Sequence, residues 1–204
     1  MPRHVATVKT ENGILSFNSK DRTLGRALNI EREFESQMMK RTVKLLTKNG
    51  DIKQVKGRVV MDVGGYVGMS SIGFLNFNLF DNAIIFEPNP NSFSLIEKNI
   101  KQNNFSDQIT AFNVALSNKN SELLMELSHK NFGDHRIRQE GPVQEGHYHE
   151  EVRKIISVDS VTLDDFIKKN PQINFKNISM VWMDIQGHEG KFLQGANNFL
   201  SSQK

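Results

Sequence analysis

The chain has 204 residues, the length of one domain with a substantial core. Its formal net charge is only +3, and its basic and acidic residues are mixed along the chain, so we expect solvated surface and no nucleic-acid partner. The absence of cysteine excludes a disulfide framework and a thiolate metal site, and no apolar run has the length of a signal peptide or membrane span. We therefore expect a cytoplasmic protein that contacts no membrane.

The apolar pattern predicts alternating strands and helices after residue 58, preceded by an N-terminal strand and helix. The predicted elements are, in chain order, a strand at 13–17, a helix at 27–48, a strand at 58–63, a helix at 67–79, a strand at 83–87, a helix that begins at Asn89-Pro90, strands at 109–116 and 122–127, a polar loop at 128–150, a strand at 152–158, a helix at 163–169, a strand at 178–184 and a helix at 188–200. This alternation favours an α/β fold with a mostly parallel sheet flanked by helices. We divide the chain into an extension at 1–57, which packs on the core, and a domain at 58–204.

A glycine-rich turn follows the first strand of the predicted parallel sheet. Asp62, Gly64 and Gly68 form the pattern Asp-x-Gly-x-x-x-Gly, with Gly65 as an additional glycine. The dinucleotide fingerprint needs glycines at relative positions one, three and six, and Val63 stands where the first would be. The turn therefore suits a ligand that approaches the backbone closely but carries no pyrophosphate.

A carboxylate ends the second strand of the same predicted sheet. Glu87 follows Gly68 by nineteen residues, a spacing that brings an acceptor for a ribose diol beside the glycine turn. S-adenosylmethionine combines a ribose with a cationic sulfonium, so we expect Glu87 to bind the ribose hydroxyls and Asp62 to lie near the positive end. The alternative interpretation is a tight turn and a solvent-exposed acid without a ligand.

Polar residues end four of the predicted strands. These endings are Asp62–Gly64, Glu87–Asn89, Asn113–Ser117 and Asp184–Glu189. Ligands of open α/β sheets bind outside the carboxyl ends of the strands. We therefore expect a single site along this edge of the sheet.

Several segments taken together resemble the FkbM-type S-adenosylmethionine-dependent methyltransferases, which are mostly O-methyltransferases. The matching segments, found between residues 13 and 200, are Met61 to Gly68, Phe86 to Pro90, Asn113 to Ser117, Thr162 to Asp165, Trp182 to Glu189, and Gly195-Ala196. The resemblance implies a Rossmann-like class I methyltransferase fold, S-adenosylmethionine as the methyl donor, and a small-molecule acceptor with a hydroxyl, on a sugar or a secondary metabolite.

The resemblance also implies which residues form the site. The expected cofactor-binding residues are Asp62, Gly64, Gly65, Tyr66, Gly68, Glu87, Pro88, Asn89, Asn113, Ala115 and Asp184. Asp184 and Glu189 are the favoured catalytic or substrate-orienting pair, and His188 is a third candidate because histidine titrates near neutral pH. Alternatively, Asp184 orders the methionine end of the cofactor and His188 caps the last helix or faces water.

Three features depart from the family pattern. Trp182 stands where the family usually has lysine, and Gln186 stands where it usually has glutamate. Such folds normally continue with further strands, whereas this sequence ends at Lys204 after a predicted helix, so we expect missing C-terminal strands and an open sheet edge. These departures keep open a second function, that of a non-catalytic cofactor-binding fragment.

N-methylation of nucleic acid or protein is a further alternative. Enzymes that methylate planar amino groups commonly use an Asn/Asp-Pro-Pro-aromatic turn, and the residues 184–187 read Asp-Ile-Gln-Gly, which favours hydroxyl acceptors.

His147 and His149, with Glu145 or Glu150, form a candidate metal site. A short His-x-His pattern in a polar loop is more often exposed to solvent, so we expect no metal.

The polar loop at 128–150 is long for a compact domain, and such loops are usually functional or disordered. Its residues 131–134 lie where the family places a loop near the cofactor, which indicates either substrate contact or ordinary loop chemistry.

Phe74, Phe77 and Phe80 recur at helical spacing, a pattern that favours core packing over a lipid or aromatic-substrate pocket. The oligomeric state is not readable from the sequence.

Overall fold

The computed structural model describes residues 4–53, 56–139 and 153–202. The strands are β1 (Val5–Thr10), β2 (Gly13–Asn18), β3 (Val59–Val63), β4 (Asn82–Phe86), β5 (Ile109–Phe112), β6 (Ala115–Leu116), β7 (Ser121–Leu127), β8 (Arg136–Ile137), β9 (Lys154–Val161) and β10 (Ile178–Met183). The helices are α1 (Leu24–Ile30), α2 (Ser36–Asn49), α3 (Met69–Asn76), α4 (Pro90–Gln102), α5 (Leu163–Lys169), α6 (Glu189–Gln194) and α7 (Asn197–Ser201).

The central sheet has four parallel strands in the order β10-β3-β4-β5. All five residues of β3 are buried, as expected for a strand covered on both faces. Val60 belongs to a core cluster that includes residues of α3 and α4, whereas its neighbour Met61 packs in a second cluster with residues of α5 and α6. Because successive strand residues point to opposite faces, helices cover both sides of the sheet, and the predicted α/β fold is confirmed.

A second four-stranded sheet has the order β6-β9-β7-β8, in which only β6 and β9 are parallel. The prediction of one strand over 109–116 is wrong, because β5 and β6 belong to different sheets. The break lies at Asn113, whose side-chain amide donates to the carbonyl oxygens of Glu87 and Pro88 at 2.8 and 2.9 Å. These bonds hold Asn113 at the end of the central sheet, and the chain then turns to pair with β9.

The predicted helix at 27–48 is also divided, into α1 and α2. Arg32 and Glu35 have φ angles of 58° and 53°, which interrupt the right-handed helix. The turn of the β1–β2 hairpin holds this break in place, because the side chain of Asn12 accepts a hydrogen bond from the N–H of Phe34 and donates one to its carbonyl oxygen. The interruption depends on a contact between distant segments and has no glycine or proline to mark it.

Three further boundaries differ from the prediction. The helix expected from residue 67 begins at Met69, because Gly68 adopts a left-handed conformation at its N-cap. The helix expected at 188–200 divides into α6 and α7 near Gly195, where a Cβ atom would lie 1.9 Å from the carbonyl oxygen of Ser117. The segment expected to be only loop contains a 3-10 turn at Phe132–Asp134 and the strand β8.

Candidate functional site

The glycine turn between β3 and α3 brings two strand ends into close contact. Gly64 has a φ angle of 89°, and its N–H donates to the carbonyl oxygen of Phe86 at the end of β4. A Cβ atom at Gly64 would lie 2.3 Å from the carbonyl oxygen of Asp184, which follows β10. Only glycine combines this conformation with this approach, so the turn joins the carboxyl ends of three neighbouring strands.

Glu87 lies directly after β4 and is buried. One of its carboxylate oxygens accepts the N–H of Tyr66 at 2.9 Å, and the other accepts the N–H of Asn89 at 2.7 Å. Burial raises the pKa of Glu87 to about 8, although these two backbone N–H groups act to lower it. Because each carboxylate oxygen has two lone pairs, both can still accept a hydroxyl hydrogen bond from a ligand.

Asp62 is buried within β3 and accepts a hydrogen bond from the hydroxyl of Ser71 at 2.7 Å. Burial raises its pKa to about 6, against the lowering effect of the bonds from Ser71. An incoming cationic ligand group would favour the ionised carboxylate, which burial disfavours. The protonation state of Asp62 is therefore expected to change when a cationic ligand group binds nearby.

Tyr66 links the glycine turn to the N-terminal region. Its hydroxyl donates to a carboxylate oxygen of Asp21 at 2.7 Å, and the other oxygen of Asp21 accepts the N–H of Thr23. Tyr66 has a φ angle of 51°, an uncommon conformation for a bulky side chain. Burial and the charge of Asp21 hold the pKa of the Tyr66 hydroxyl well above its ordinary value, so it remains a hydrogen-bond donor.

Two of the expected cofactor-binding residues have side chains that form hydrogen bonds to backbone groups of the site. The side chain of Asn89 caps α4 by accepting the N–H of Asn91, and the amide of Asn113 donates to the two carbonyl oxygens described above. Pro88 and Ala115, in contrast, line a cavity beside Glu87. Gly68 acts as the N-cap of α3.

The segment after β10 holds the three catalytic candidates. Asp184 is exposed, and the side chain of Gln186 donates to it at 2.6 Å. Partial desolvation raises the pKa of Asp184, and it lowers the pKa of the half-buried His188. The Nε2 atom of His188 lies 2.9 Å from the hydroxyl of Ser117. Asp184 and His188 both line one cavity at the strand ends.

Glu189 has a different environment from the other two candidates. Its carboxylate accepts the N–H groups of Ile185 and Gly187 at 3.2 and 3.3 Å. Although burial alone would raise the pKa of Glu189, the backbone N–H groups lower it overall. Glu189 thus stabilises the turn that carries Asp184, and it is not among the residues that line the two cavities described next.

A narrow cavity of about 50 Å³ lies along the strand ends. Its lining residues are Val63, Gly64, Tyr66, Phe86, Glu87, Pro88, Ser92, Val114, Ala115, Leu116, Met125, Phe132, Gly133, His135, Arg136, Ile137, Asp184, Ile185 and His188. Phe132 to Ile137 belong to the segment that the sequence predicted as loop. Within it, burial and the charge of Arg153 lower the pKa of His135 to about 4, so this imidazole is neutral at pH 7.

A wide cavity of about 720 Å³ adjoins the narrow one. Its lining residues are Leu24, Phe34, Glu35, Met38, Thr42, Leu46, Asp62, Gly64, Gly65, Tyr66, Met69, Ser70, Asn131, Gly133, Met180, Val181, Trp182, Met183, Asp184 and Gln186. Gly64, Tyr66, Gly133 and Asp184 line both cavities. The two cavities are therefore neighbouring parts of one site.

The sequence did not identify the N-terminal contribution to the wide cavity. Phe34 and Glu35 lie at the break between α1 and α2, which the predicted continuous helix had concealed, and Leu24 is the first residue of α1. Asp21, which binds Tyr66, was missed as well. Their only signal in the sequence would have been acids next to apolar residues, a pattern common on any amphipathic helix.

Within residues 4–53, 56–139 and 153–202, no three or more histidine or acidic side chains are grouped so as to hold a metal ion. The candidates His147 and His149, with Glu145 or Glu150, lie outside these ranges. The helices of the described ranges include none with the length and apolar character needed to cross a membrane.

Comparison with known proteins identifies relatives of this chain. The family model described as "Methyltransferase FkbM domain" matches residues 62–204, which confirms the resemblance inferred from the sequence motifs. The 2-O-methyltransferase NoeI of Sinorhizobium fredii is 24% identical over 155 residues, with coverage of 72% of this chain and 60% of NoeI. The chain thus spans about 60% of the length of this curated relative.

Two solved structures are among those to which this chain is similar. The methyltransferase FkbM from Methylobacillus flagellatus KT has 17% identity and a TM-score of 0.49, with coverage of 92% of this chain and 43% of that protein. The tRNA m1G37 methyltransferase of M. jannaschii has 23% identity and a TM-score of 0.34, with coverage of 55% of this chain and 30% of that protein.

Proposed function

Because the chain belongs to the FkbM methyltransferase domain family, we propose that it transfers a methyl group from S-adenosylmethionine to a hydroxyl of a small molecule. One observation carries this proposal. Gly64, Glu87 and Asp184, which follow three different strands of the parallel sheet, line the same narrow cavity. Ligands of such sheets bind at the carboxyl ends of the strands, and this cavity lies there.

The side chains around the narrow cavity have the chemistry that an adenosine group requires, and the cavity, at about 50 Å³, would have to widen to admit it. Glu87 keeps free acceptor lone pairs on both oxygens, which suits the two hydroxyls of a ribose. Val114, Leu116 and Ile137 provide apolar walls suited to a purine ring. Ala115 and Pro88 complete this part of the lining. Glu87 would therefore hold the ribose while the apolar side chains enclose the base.

The methionine end would lie on the side of the glycine turn shared with the wide cavity. Asp62 and Asp184 line that cavity, and both are carboxylates whose pKa is raised by burial, so a cationic ligand group nearby would favour their ionised forms. Bound S-adenosylmethionine supplies a methyl group that its positively charged sulfur already activates. The protein has to orient an acceptor hydroxyl and receive its proton, a contribution of about 10²–10⁴ in rate for a general base.

A hydroxyl acceptor is supported by the turn after β10 and by the curated relative. The turn reads Asp184-Ile185-Gln186-Gly187 and lacks the prolines and aromatic ring that clamp a planar amino group. NoeI is named a 2-O-methyltransferase. We propose a sugar or secondary-metabolite hydroxyl as the acceptor. Asp184 orients this hydroxyl, His188 has a secondary part, and Glu189 acts by holding the turn.

The first experiment is calorimetric titration of the protein with S-adenosylhomocysteine and S-adenosylmethionine. We expect binding of both in a one-to-one ratio. Absence of affinity for either would overturn the proposed function and leave the alternative of a fragment with the fold but no cofactor.

The second experiment measures transfer of a labelled methyl group to a panel of glycosides and alcohols, with transfer RNA and a protein mixture as parallel acceptors. We expect label in small hydroxyl compounds, with a product stable to alkali as a methyl ether is. Labelled RNA or protein with no labelled small molecule would overturn the hydroxyl assignment and favour the N-methylation alternative.

A further inference from the structure

The wide cavity has a composition that the cofactor alone does not account for. It extends from the strand ends to α2, where Met38 and Leu46, together with Phe34 just before the helix, form an apolar wall. No lysine, arginine or histidine of the described ranges lines it, and its charged side chains are carboxylates. Such a lining disfavours phosphorylated ligands, because their negative charges would meet unpaired carboxylates with no compensating cation.

Both side-chain departures from the family pattern lie on this cavity. Trp182 replaces a usual lysine and Gln186 replaces a usual glutamate, and both line the wide cavity. Trp182 and Asp184 are two residues apart along β10 and its extension, so their side chains share one side of the strand. The Trp182 ring packs edge-on against Phe74 with ring centroids 5.3 Å apart, which fixes its position. The wall of the cavity beside Asp184 is therefore aromatic at Trp182.

Glu35 enters the same cavity from the opposite side. It is the residue before α2, it is exposed, and its backbone is left-handed with a φ angle of 53°. The preceding residue is fixed by the two hydrogen bonds from Asn12. The other titratable side chains of the cavity are Asp62, Tyr66 and Asp184. Partial desolvation and then the charge of Asp184 raise the pKa of Glu35, in keeping with two carboxylates near each other.

We propose that the wide cavity binds the methyl acceptor as an uncharged compound with an apolar ring or chain, and that Glu35 receives the proton of its hydroxyl. This inference rests on the proposed function. The acceptor's apolar part lies against Trp182 and Phe34, and its hydroxyl lies between Asp184 and Glu35. Asp184, held by Gln186, is then the orienting carboxylate.

The chemical step balances with these groups. The acceptor oxygen forms a bond to the methyl carbon as the carbon–sulfur bond breaks, and the bonding pair stays on sulfur, which becomes a neutral thioether. The O–H proton passes to the carboxylate of Glu35, which becomes a neutral acid. No further oxidant, reductant or co-reactant is required.

A binding experiment tests the acceptor class without turnover. Trp182 is the only tryptophan of the chain, so its fluorescence reports occupancy of the wide cavity. The probes are the phenyl glucoside, the methyl glucoside and glucose 6-phosphate, each titrated with S-adenosylhomocysteine present. We expect the phenyl glucoside to bind about 10- to 50-fold more tightly than the methyl glucoside, through burial of the ring, and the phosphate to bind most weakly. Equal affinities, no response to any probe, or tightest binding of the phosphate would overturn the proposal.

A kinetic experiment tests Glu35 with the best acceptor of the panel. We expect Glu35→Gln to lower kcat by about 10²–10⁴, to remove the acid limb of the pH profile of kcat, and to leave S-adenosylhomocysteine affinity within about twofold. Glu35→Asp should restore part of the activity. The matched control is Glu31→Gln, an exposed glutamate four residues away that does not line the cavity, which should leave kcat unchanged.

The outcomes separate this inference from the proposed function. Absence of S-adenosylhomocysteine binding removes the proposed function, whereas cofactor binding with an unchanged kcat in Glu35→Gln removes only the role of Glu35. Because Glu35 is exposed, its substitution should leave the melting temperature within about 2 °C, and this measurement excludes misfolding as the cause of lost activity.

Discussion

The two sides of the site are built in different ways. On the strand side, Gly64, Glu87 and Asp184 are placed by the backbone of one parallel sheet, and their neighbours are mostly buried. On the N-terminal side, Asp21 and Glu35 are placed by side-chain hydrogen bonds between segments that are far apart in sequence. The strand side therefore depends on local sequence motifs, whereas the N-terminal side depends on how the hairpin and helices pack.

This difference predicts unequal sensitivity to substitution. A change in the glycine turn disturbs three strand ends at once, because their backbones are in contact there. A change on the N-terminal side removes one side-chain contact and leaves the sheet intact. Substitutions on the strand side should therefore cost more than substitutions on the N-terminal side.

Gly64→Ala tests the close approach in the strand side. The added Cβ would lie 2.3 Å from the carbonyl oxygen of Asp184, in a backbone with a φ angle of 89°. We expect the free energy of unfolding to fall by more than about 3 kcal/mol, with loss of cofactor binding, as measured by urea denaturation and calorimetry. The control is Gly50→Ala, which has a similar φ angle of 84° but no atom within 4 Å of the added Cβ. It should cost only about 1–2 kcal/mol, and equal losses in the two variants would contradict the close approach.

Glu87→Ala tests the proposed ribose contact. We expect the affinity for S-adenosylhomocysteine to fall by about 1–3 kcal/mol, because ribose hydroxyls and the N–H groups of Tyr66 and Asn89 lose their acceptor. Titration calorimetry measures this loss directly. Glu97→Ala, at an exposed position on α4, is the matched control and should bind normally. An unchanged affinity in Glu87→Ala would show that Glu87 does not hold the ribose.

Asp62→Asn tests the cost of a buried carboxylate. Burial raises the pKa of Asp62 from 3.8 to about 6, so the folded protein holds this proton more tightly than the unfolded chain does. The contribution of Asp62 to stability is therefore fully present below pH 3.8 and is lost as pH rises to about 6. Because asparagine has no such loss, the stability of the variant relative to the natural protein should increase by about 1 kcal/mol between pH 5 and pH 7.5.

Urea denaturation at the two pH values measures this difference. Asp107→Asn, at an exposed aspartate, is measured in parallel as the matched substitution. A constant difference between Asp62→Asn and the natural protein would contradict the raised pKa of Asp62.

Tyr66→Phe tests the link between the two sides. Loss of its hydrogen bond to Asp21 should lower the free energy of unfolding by about 1.5 kcal/mol. We expect faster hydrogen exchange in residues 21–35 and unchanged exchange in β3 and β4, because only the N-terminal side loses a contact. A double-mutant cycle with Asp21→Ala measures the coupling, and additive effects of the two substitutions would show that this bond contributes nothing.

Much of the strand side could be predicted from residue order. The apolar run Val59–Val63, the glycines after it and the acid at Glu87 define a strand, a turn and a second strand end, and these elements were found where expected. The predicted helices that begin at Asn89-Pro90 and at residue 163 were also found, with Asn89 and Thr162 as their N-caps. These features depend on backbone conformation over a few residues, which local sequence specifies.

Other features of the fold and the site could not be predicted from the sequence. The division of the strand at Asn113 depends on its amide bonding to carbonyl groups 25 and 26 residues earlier. The division of the last helix depends on contact of Gly195 with Ser117. Glu35, predicted to lie within a helix, lies instead before one and lines the wide cavity. Each of these features depends on a contact with a residue far away in the sequence, which a local sequence pattern does not identify.

By itself, the sequence determined the parallel α/β class, the glycine turn and the acids at the strand ends, because strand and turn propensities act between near neighbours. The tertiary structure alone decided which side chains face those strand ends from the N-terminal region, and which acid stabilises a turn and which lines a cavity. Such choices depend on contacts between segments that lie far apart along the chain. Their geometry is fixed only when the hairpin, α2 and the sheet pack together.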